Sequence, residues 1–312
     1  MGFNENGMKY ILIGMFILFA SCAIAQQKAM YTQYMFNTLA INPAYSTLDE
    51  SLTFTALSRH QWVGFKGAPK TQTISAHTPI GTSNTFIGAI IVNDQIGEVI
   101  KETGGDLSIA QRVPIGTSSY VALGVNGGLS NFSAAYSANF PQSPASGTDP
   151  VFQDENNMRM NMGWGAMLFS EKYYVGISSP HFYYRNINSI AKTVSQTAYR
   201  PHYLLQAGYL IDLNPDLKLK PNFLVKYVNG SPIQFDLNAS LLINETLWIG
   251  ASYRSLDSFN AVAAFRITQD LQLAYSYDLT TTALSQVQKG SHEISLQFRL
   301  PVRGRDRMAC YF

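Results

Sequence analysis

Thr246-Leu247-Trp248-Ile249-Gly250-Ala251-Ser252-Tyr253-Arg254 puts Leu247, Ile249, Ala251 and Tyr253 on one face of an extended chain. Trp248, Gly250, Ser252 and Arg254 fall on the other face. Successive side chains of a strand point to opposite sides, whereas helical spacing would scatter these apolar residues around the axis. The same period recurs around this stretch. Ile294, Leu296, Phe298 and Leu300 alternate with Glu293, Ser295, Gln297 and Arg299. Leu271, Leu273, Tyr275 and Tyr277 alternate with Gln272, Ala274, Ser276 and Asp278. Ile233, Phe235, Leu237, Ala239 and Leu241 alternate with Gln234, Asp236, Asn238 and Ser240. Each segment is therefore a two-sided strand.

Asn214-Pro215-Asp216, Asn229-Gly230-Ser231-Pro232, Asn244-Glu245 and Gln269-Asp270 supply turn chemistry between these runs. Extending the count gives about fourteen strands, a number that a single-chain bacterial barrel, being even-stranded, allows. They centre near Phe54, Ile74, Ile90, Leu107, Leu123, Gly165, Val175, Gln206, Leu224, Leu237, Gly250, Ala263, Leu273 and Leu296. The turns near Thr82, Thr117, Glu171, Pro215, Glu245 and Gln269 are short, while Asn131–Arg159 and Ser179–Arg200 are long, polar and without period. Short periplasmic turns and long outer loops are the normal asymmetry of outer-membrane barrels, so both chain ends are expected in the periplasm.

Composition agrees. Of the 312 residues, 46% are hydrophobic but only 13% are charged, about half the usual share. Tyr and Phe, 18 of each, recur near strand ends, as at Tyr120, Tyr173, Tyr174, Tyr203, Tyr227, Tyr253, Phe259 and Tyr277. Interfacial aromatic girdles would explain that placement. Tyr10 to Ala20 is an apolar run after Lys9, followed by Ala23-Ile24-Ala25, which is the pattern of a secretory signal with Gln26 as the mature start. Two other readings of this region remain open, a retained N-terminal anchor and lipoprotein processing at Cys22. No other stretch approaches the roughly 20 apolar residues of a transmembrane helix, and lipid cannot satisfy an open sheet edge. The expected fold is thus an all-β transmembrane antiparallel barrel over 51–300. A signal peptide over 1–25 and a periplasmic or lumenal segment over 26–50 precede it, and a periplasmic tail over 301–312 follows. A soluble β-sandwich is the competing architecture.

Candidate chemistry is sparse. His60, His77, His181, His202 and His292 stand at no recognisable metal spacing, and neither Gly-x-Ser-x-Gly nor a phosphate-binding loop occurs. No enzyme activity and no cofactor is expected. A net charge of +2 without a basic stripe gives no reason to expect nucleic acid. Arg59, Gln61 and Trp62 should lie at the outer end of the first strand, where they could fix the Gly67-Ala68-Pro69 loop and form a partner contact. The competing assignment puts Trp62 in the interfacial belt and Arg59 in the lumen. Asp236, Asn238, Arg254, Arg266, Asp278, Glu293 and Arg299 form a lumen-facing set of both signs, which suits paired charges in a plugged interior rather than an ion-selective pore. In the tail, Arg303 and Arg305 could dock on an acidic periplasmic partner, and Cys310 would be an odd thiol open to intermolecular pairing.

Several motifs in order resemble the PorP/SprF family of type IX secretion system membrane proteins of Bacteroidota. They are Gln33-Tyr34, Asn37, Asn42-Pro43-Ala44, Arg59-His60-Gln61-Trp62, Gly67-Ala68-Pro69-Lys70-Thr71, Asn93-Asp94 and Gly97. Arg200, Ala207-Gly208-Tyr209, Gln234, Asp236, Trp248-Ile249-Gly250-Ala251, Tyr253-Arg254, Tyr275-Ser276-Tyr277-Asp278, Gly290 and His292-Glu293 follow. The terminal Cys310-Tyr311-Phe312 is one residue shorter than the family's Cys-x-x-Phe. The resemblance implies an outer-membrane component of type IX secretion or gliding. Its partner would be either one secreted adhesin, through that protein's C-terminal domain, or periplasmic ring subunits. A passive porin or ligand transporter is the alternative.

Overall fold

The computed structural model describes residues 30–139, 154–187 and 199–302. Among these residues fourteen strands are found. They are β1 (Ser51–His60), β2 (Lys70–Pro79), β3 (Thr85–Ile96), β4 (Ile100–Ile115), β5 (Ser119–Ala134), β6 (Glu155–Ser170) and β7 (Tyr173–Asn186). β8 runs over His202–Tyr209 and, past a kink at Leu210, Ile211–Asn214. Then come β9 (Leu217–Val228), β10 (Gln234–Ile243), β11 (Leu247–Arg254), β12 (Ser258–Arg266), β13 (Leu271–Thr280) and β14 (Ser291–Pro301). Both pieces of β8 pair with β9, with a register shift at Leu217/Lys218, so they act as one strand.

Every strand pairs antiparallel with its sequence neighbours, and β14 returns to β1 from Ser51↔Pro301 to His60↔His292. The sheet is therefore a closed barrel without a free edge, which is what a hydrocarbon environment demands. All fourteen centres expected from alternation fall inside strands.

Burial separates a membrane barrel from a sandwich. In β11 the buried side chains are Trp248, Ser252 and Arg254, while Ile249, Ala251 and Tyr253 are exposed. In β14 Glu293, Ser295 and Gln297 are buried, while Ile294, Leu296 and Phe298 are exposed. Leu107 is 71% exposed and Leu123 is 63% exposed, both mid-strand. A soluble sheet would bury these residues. A wall that turns apolar side chains outward and polar ones inward instead matches lipid on one side and a wet interior on the other.

One end of the barrel, the turn mouth, holds the tight connections at 80–84, 116–118, 171–172, 215–216, 244–246 and 267–270. The other, the loop mouth, holds 61–69, 281–290 and the long connections after β5 and β7. The long connections are shorter than expected from the sequence. β5 continues to Ala134, β6 starts at Glu155 and β7 reaches Asn186. Asn156, Met158, Met160 and Met162 keep an outward period there. The 16-residue strands β4 to β6 exceed the roughly 9–11 residues that cross a membrane, so the wall on this side rises above the bilayer.

The expected aromatic girdle is partly found. Tyr203 and Tyr227 pair outside the wall, as do Phe235, Tyr253 and Phe259, with ring centroids 4.9–6.3 Å apart. Tyr174 is instead buried in the lumen, and Tyr120 packs inside against Phe169 and Arg112. Both occupy inward positions of their strands, which proximity to a strand end does not reveal. The expected signal peptide over 1–25 and the arginines and cysteine of the tail lie outside the described residues.

Candidate functional site: the filled lumen and its mouths

Residues 31–50 lack a strand period and form turns. Short 3-10 segments occur at Thr38–Ala40 and Pro43–Thr47. The second is opened by Asn42, whose side chain accepts from the Ala44 amide at 3.0 Å, with Pro43 at its first position. Tyr34, Met35, Leu39, Ala44, Tyr45 and Leu48 are all buried and form the apolar core together with inward residues such as Trp248, Leu242 and Met167. Among the described residues no other hydrophobic core is found, because the barrel's own apolar face looks outward.

At the loop mouth the start of this segment is held by ions. Arg59 places Nη1 at 2.9 Å from Glu293 and 3.0 Å from the Thr32 hydroxyl, and Nη2 at 2.7 Å from Asp278. Glu293 accepts from the backbone amides of Thr32 and Gln33 at 3.0 and 2.8 Å. Gln33 donates to the Glu293 carbonyl at 2.8 Å, and Thr32 donates to Asp278 at 2.7 Å. Next to it Arg254 pairs with Asp236 at 3.0 Å and donates to the Tyr31 carbonyl at 3.1 Å. Arg59, Asp278, Glu293, Asp236 and Arg254 are each at most 3% exposed. Burying such charges costs several kcal/mol per ion unless each is paired and hydrogen-bonded, and here strands and segment supply the partners jointly.

Midway down the lumen the segment is gripped by backbone contacts. Asn42 donates to the Ala166 carbonyl at 3.4 Å, Ser178 donates to the Ile41 carbonyl at 2.6 Å, and Gln297 donates to the Phe36 carbonyl at 3.0 Å. Tyr34 reaches Asn222 at 2.8 Å, and Lys220 lies 4.6 Å over the Trp248 ring. Glycines make room on the facing wall. A Cβ on Gly124 would stand 2.6 Å from the Ala44 nitrogen, one on Gly88 3.2 Å from Leu39, and one on Gly165 would collide with the Asn42 amide. At the turn mouth Arg112 pairs with Glu50 and donates to the Thr47 carbonyl at 3.2 Å, while Arg299 lies 3.6 Å from Asp49.

The residues expected to act together at the end of β1 separate into two tasks. Arg59 points inward and secures the lumenal segment. The Gln61 amide donates to the Pro69 carbonyl at 3.0 Å and closes the 61–69 loop. Trp62 is half-buried at φ +44°, and its amide donates to Ser291 at 3.1 Å. Val63 then exchanges two backbone hydrogen bonds with the 281–290 loop, to Gly290 at 2.8 Å and from Lys289 at 2.7 Å. Of the lumen-facing set, Asp236, Asn238, Arg254, Asp278 and Glu293 are fully buried, while Arg266 and Arg299 are half-buried near the turn mouth. Sequence reasoning did not single out Arg112, Glu50, Asp49 or the glycine cradle. Gly163-Trp164-Gly165, two glycines inside an alternating strand, was the available sign of a close backbone approach.

The five histidines are dispersed. His60 and His292 face each other outside the wall, and His292 bonds Tyr275 at 2.6 Å. His77 packs against Tyr45 inside. Among the described residues no group of three or more His, Cys, Asp or Glu could hold a metal ion.

Three solved outer-membrane barrels have similar structures. The CymD monoaromatic hydrocarbon channel is 11% identical, with 89% of this chain and 95% of that chain covered at a TM-score of 0.50. The toluene transporter TbuX of Ralstonia pickettii is 10% identical, with 84% and 93% covered at 0.48. Omp33 of Acinetobacter baumannii is 11% identical, with 81% and 100% covered at 0.46. At such identities the likeness concerns the fold alone. No curated protein matches the chain. The family model described as "Type IX secretion system membrane protein PorP/SprF" matches residues 23–298, nearly the whole chain, and with the closed barrel already established the protein belongs to that family.

Proposed function

We propose that this type IX secretion component is a sealed, non-enzymatic outer-membrane scaffold that retains a protein partner rather than conducting solutes. The observation that carries the proposal is the lumen. Residues 31–50 fill it with an apolar core and tie both mouths with buried ion pairs, which leaves the barrel interior to the protein's own chain. The loop mouth faces outward in this proposal and the turn mouth faces the periplasm, because long connections are normally external. The partner at the loop mouth is a secreted adhesin held through its C-terminal domain. It meets the paired loops 61–69 and 281–290, where Trp62, Val63 and Phe65 stand together. Periplasmic ring subunits are the second candidate partner. For them Arg303 and Arg305, with a thiol at Cys310, follow β14 in sequence and offer the chemistry of a contact.

A mild-detergent pull-down of the full-length protein from native outer membranes, with partners identified by mass, tests this reading. One large secreted protein at near-equal amount supports the adhesin role, and ring subunits support the periplasmic role. Recovery of the barrel alone, together with large stable single-channel currents, defeats both in favour of a porin.

A further inference from the structure

The lumenal segment has a direction. Tyr31 to Gln33 lie at the level of Arg59, Asp278, Glu293 and Arg254, which occupy the loop-mouth ends of β1, β13, β14 and β11. Tyr34, Phe36 and Asn42 contact strand middles at Asn222, Gln297 and Ala166. Thr47, Asp49 and Glu50 meet Arg112 and Arg299 near the turn mouth, and β1 begins there at Ser51. The chain thus descends the whole lumen before its first strand climbs back.

From this descent we propose that residues 31–50 are a through-barrel strap, entered from the loop mouth and anchored at the turn mouth. Tyr31, where the strap begins, then stands at the loop mouth, while Val302 leaves β14 at the opposite end. Tyr31 and Val302 are consequently offered at opposite mouths, in place of a shared periplasmic side. The start of the strap becomes part of the interaction surface at the loop mouth, next to Trp62 and the 281–290 loop. A polypeptide partner gripping it there would pull on a segment whose other end is fixed by Arg112–Glu50 and Arg299–Asp49. Which side counts as outside rests on the orientation given under Proposed function; the opposite placement of the two ends does not.

The test uses intact cells carrying full-length protein with one epitope in one of three places: ahead of Tyr31, after Phe65 in the loop, or after Thr117 in the turn. Correct insertion is checked by heat-modifiable gel mobility. The expected result is antibody binding to the first two without permeabilisation and to the third only after it. If the loop epitope is exposed and the one ahead of Tyr31 appears only with the turn epitope, the strap runs the other way and the proposal is overturned. If the turn epitope is exposed and the loop epitope hidden, the orientation is wrong. The strap then survives only if the epitope ahead of Tyr31 is hidden with the loop epitope. Should the epitope insertion block assembly, Met30→Cys in a Cys310→Ser background replaces it. A membrane-impermeant maleimide should label it to the same extent as Phe65→Cys; labelling only alongside Thr117→Cys would refute the strap.

Discussion

At the scale of single residues, Arg59 decides the most. It is one cation between Asp278 and Glu293, all three buried, with backbone amides of the lumenal segment completing the shell around Glu293. Removing it leaves two carboxylates close together in a dry interior. Arg59→Met should therefore destabilise the folded barrel by about 3–5 kcal/mol, the usual cost of breaking a buried pair from one side. Equilibrium unfolding in urea would measure this loss. Arg59→Lys keeps a charge but loses the fork that reaches Thr32, Glu293 and Asp278 together, and should recover only part of the loss. Trp62 serves a different purpose. Its amide is fixed by Ser291, while its side chain is half-buried at the paired loops. Trp62→Ala should leave insertion and heat-modifiable mobility normal and weaken partner affinity by about thirtyfold or more, as a hot spot worth about 2 kcal/mol or more would, with a corresponding drop in the partner recovered in the pull-down. Undiminished recovery with the inserted variant would dispose of that role.

At the scale of elements, strand faces and a plugged interior were legible, but the path and contacts of the segment that fills it were not. Lipid imposes apolar character on every second residue of a strand, so Ile249, Leu296 and Leu107 announce their outward position within a few residues of sequence. The lumenal segment obeys no such period. Its contacts join residues far apart in the chain, such as Thr32 with Glu293 across 261 positions, and only barrel closure brings them together. Tyr174 and Tyr120 were misplaced for the same reason: aromatic side chains suit both the girdle and the lumen, and register alone separates them. Long strand ends at Ala134 and Glu155 were lost to the polar character of their flanks. The glycine cradle supports a sharp prediction. Gly124→Val drives a side chain into the Ala44 backbone, which is tethered nearby by the long 3.4 Å bond from Asn42 to the Ala166 carbonyl. Overpacking costs about 1–3 kcal/mol, and the segment should lift before the wall yields. Maleimide labelling of Ser46→Cys, buried in the parent, should accelerate in the Gly124→Val background; an unchanged rate would mean that the wall moved instead. At the root of the loop after β5, Asp154 accepts from the Ser137 amide at 2.9 Å and from its hydroxyl at 2.7 Å. These bonds hold its carboxyl below the ordinary value of 3.8. The contribution is complete above that value and is lost as pH falls through the lower folded one. Hydrogen exchange at the Ser137 amide should accordingly rise only at strongly acidic pH, and Asp154→Asn should remove the dependence.

At the scale of the whole molecule, the barrel inverts the usual arrangement of a protein. The hydrophobic exterior is satisfied by lipid, and the interior is completed by twenty residues of the same chain (31–50) that belong to no strand. Without them the lumen would present Asp236, Arg254, Asp278, Glu293 and Arg59 to water across an open bore. Barrels of 16–18 strands leave aqueous channels, and one of fourteen is wide enough to hold this segment. Purified protein in a planar bilayer should therefore show no large stable current steps. Replacing Tyr31–Glu50 with a Gly-Ser linker of equal length removes the apolar anchors and ion partners but leaves the wall intact. That variant should conduct in steps well above background, and mixed signs along the exposed bore should give weak ion selectivity. Folding of the variant is read independently from heat-modifiable mobility. Large steps from the parent protein would show that the segment does not seal the lumen. A correctly folded linker variant that stays silent would show that something other than residues 31–50 closes the barrel, and the scaffold reading would lose the observation on which it stands.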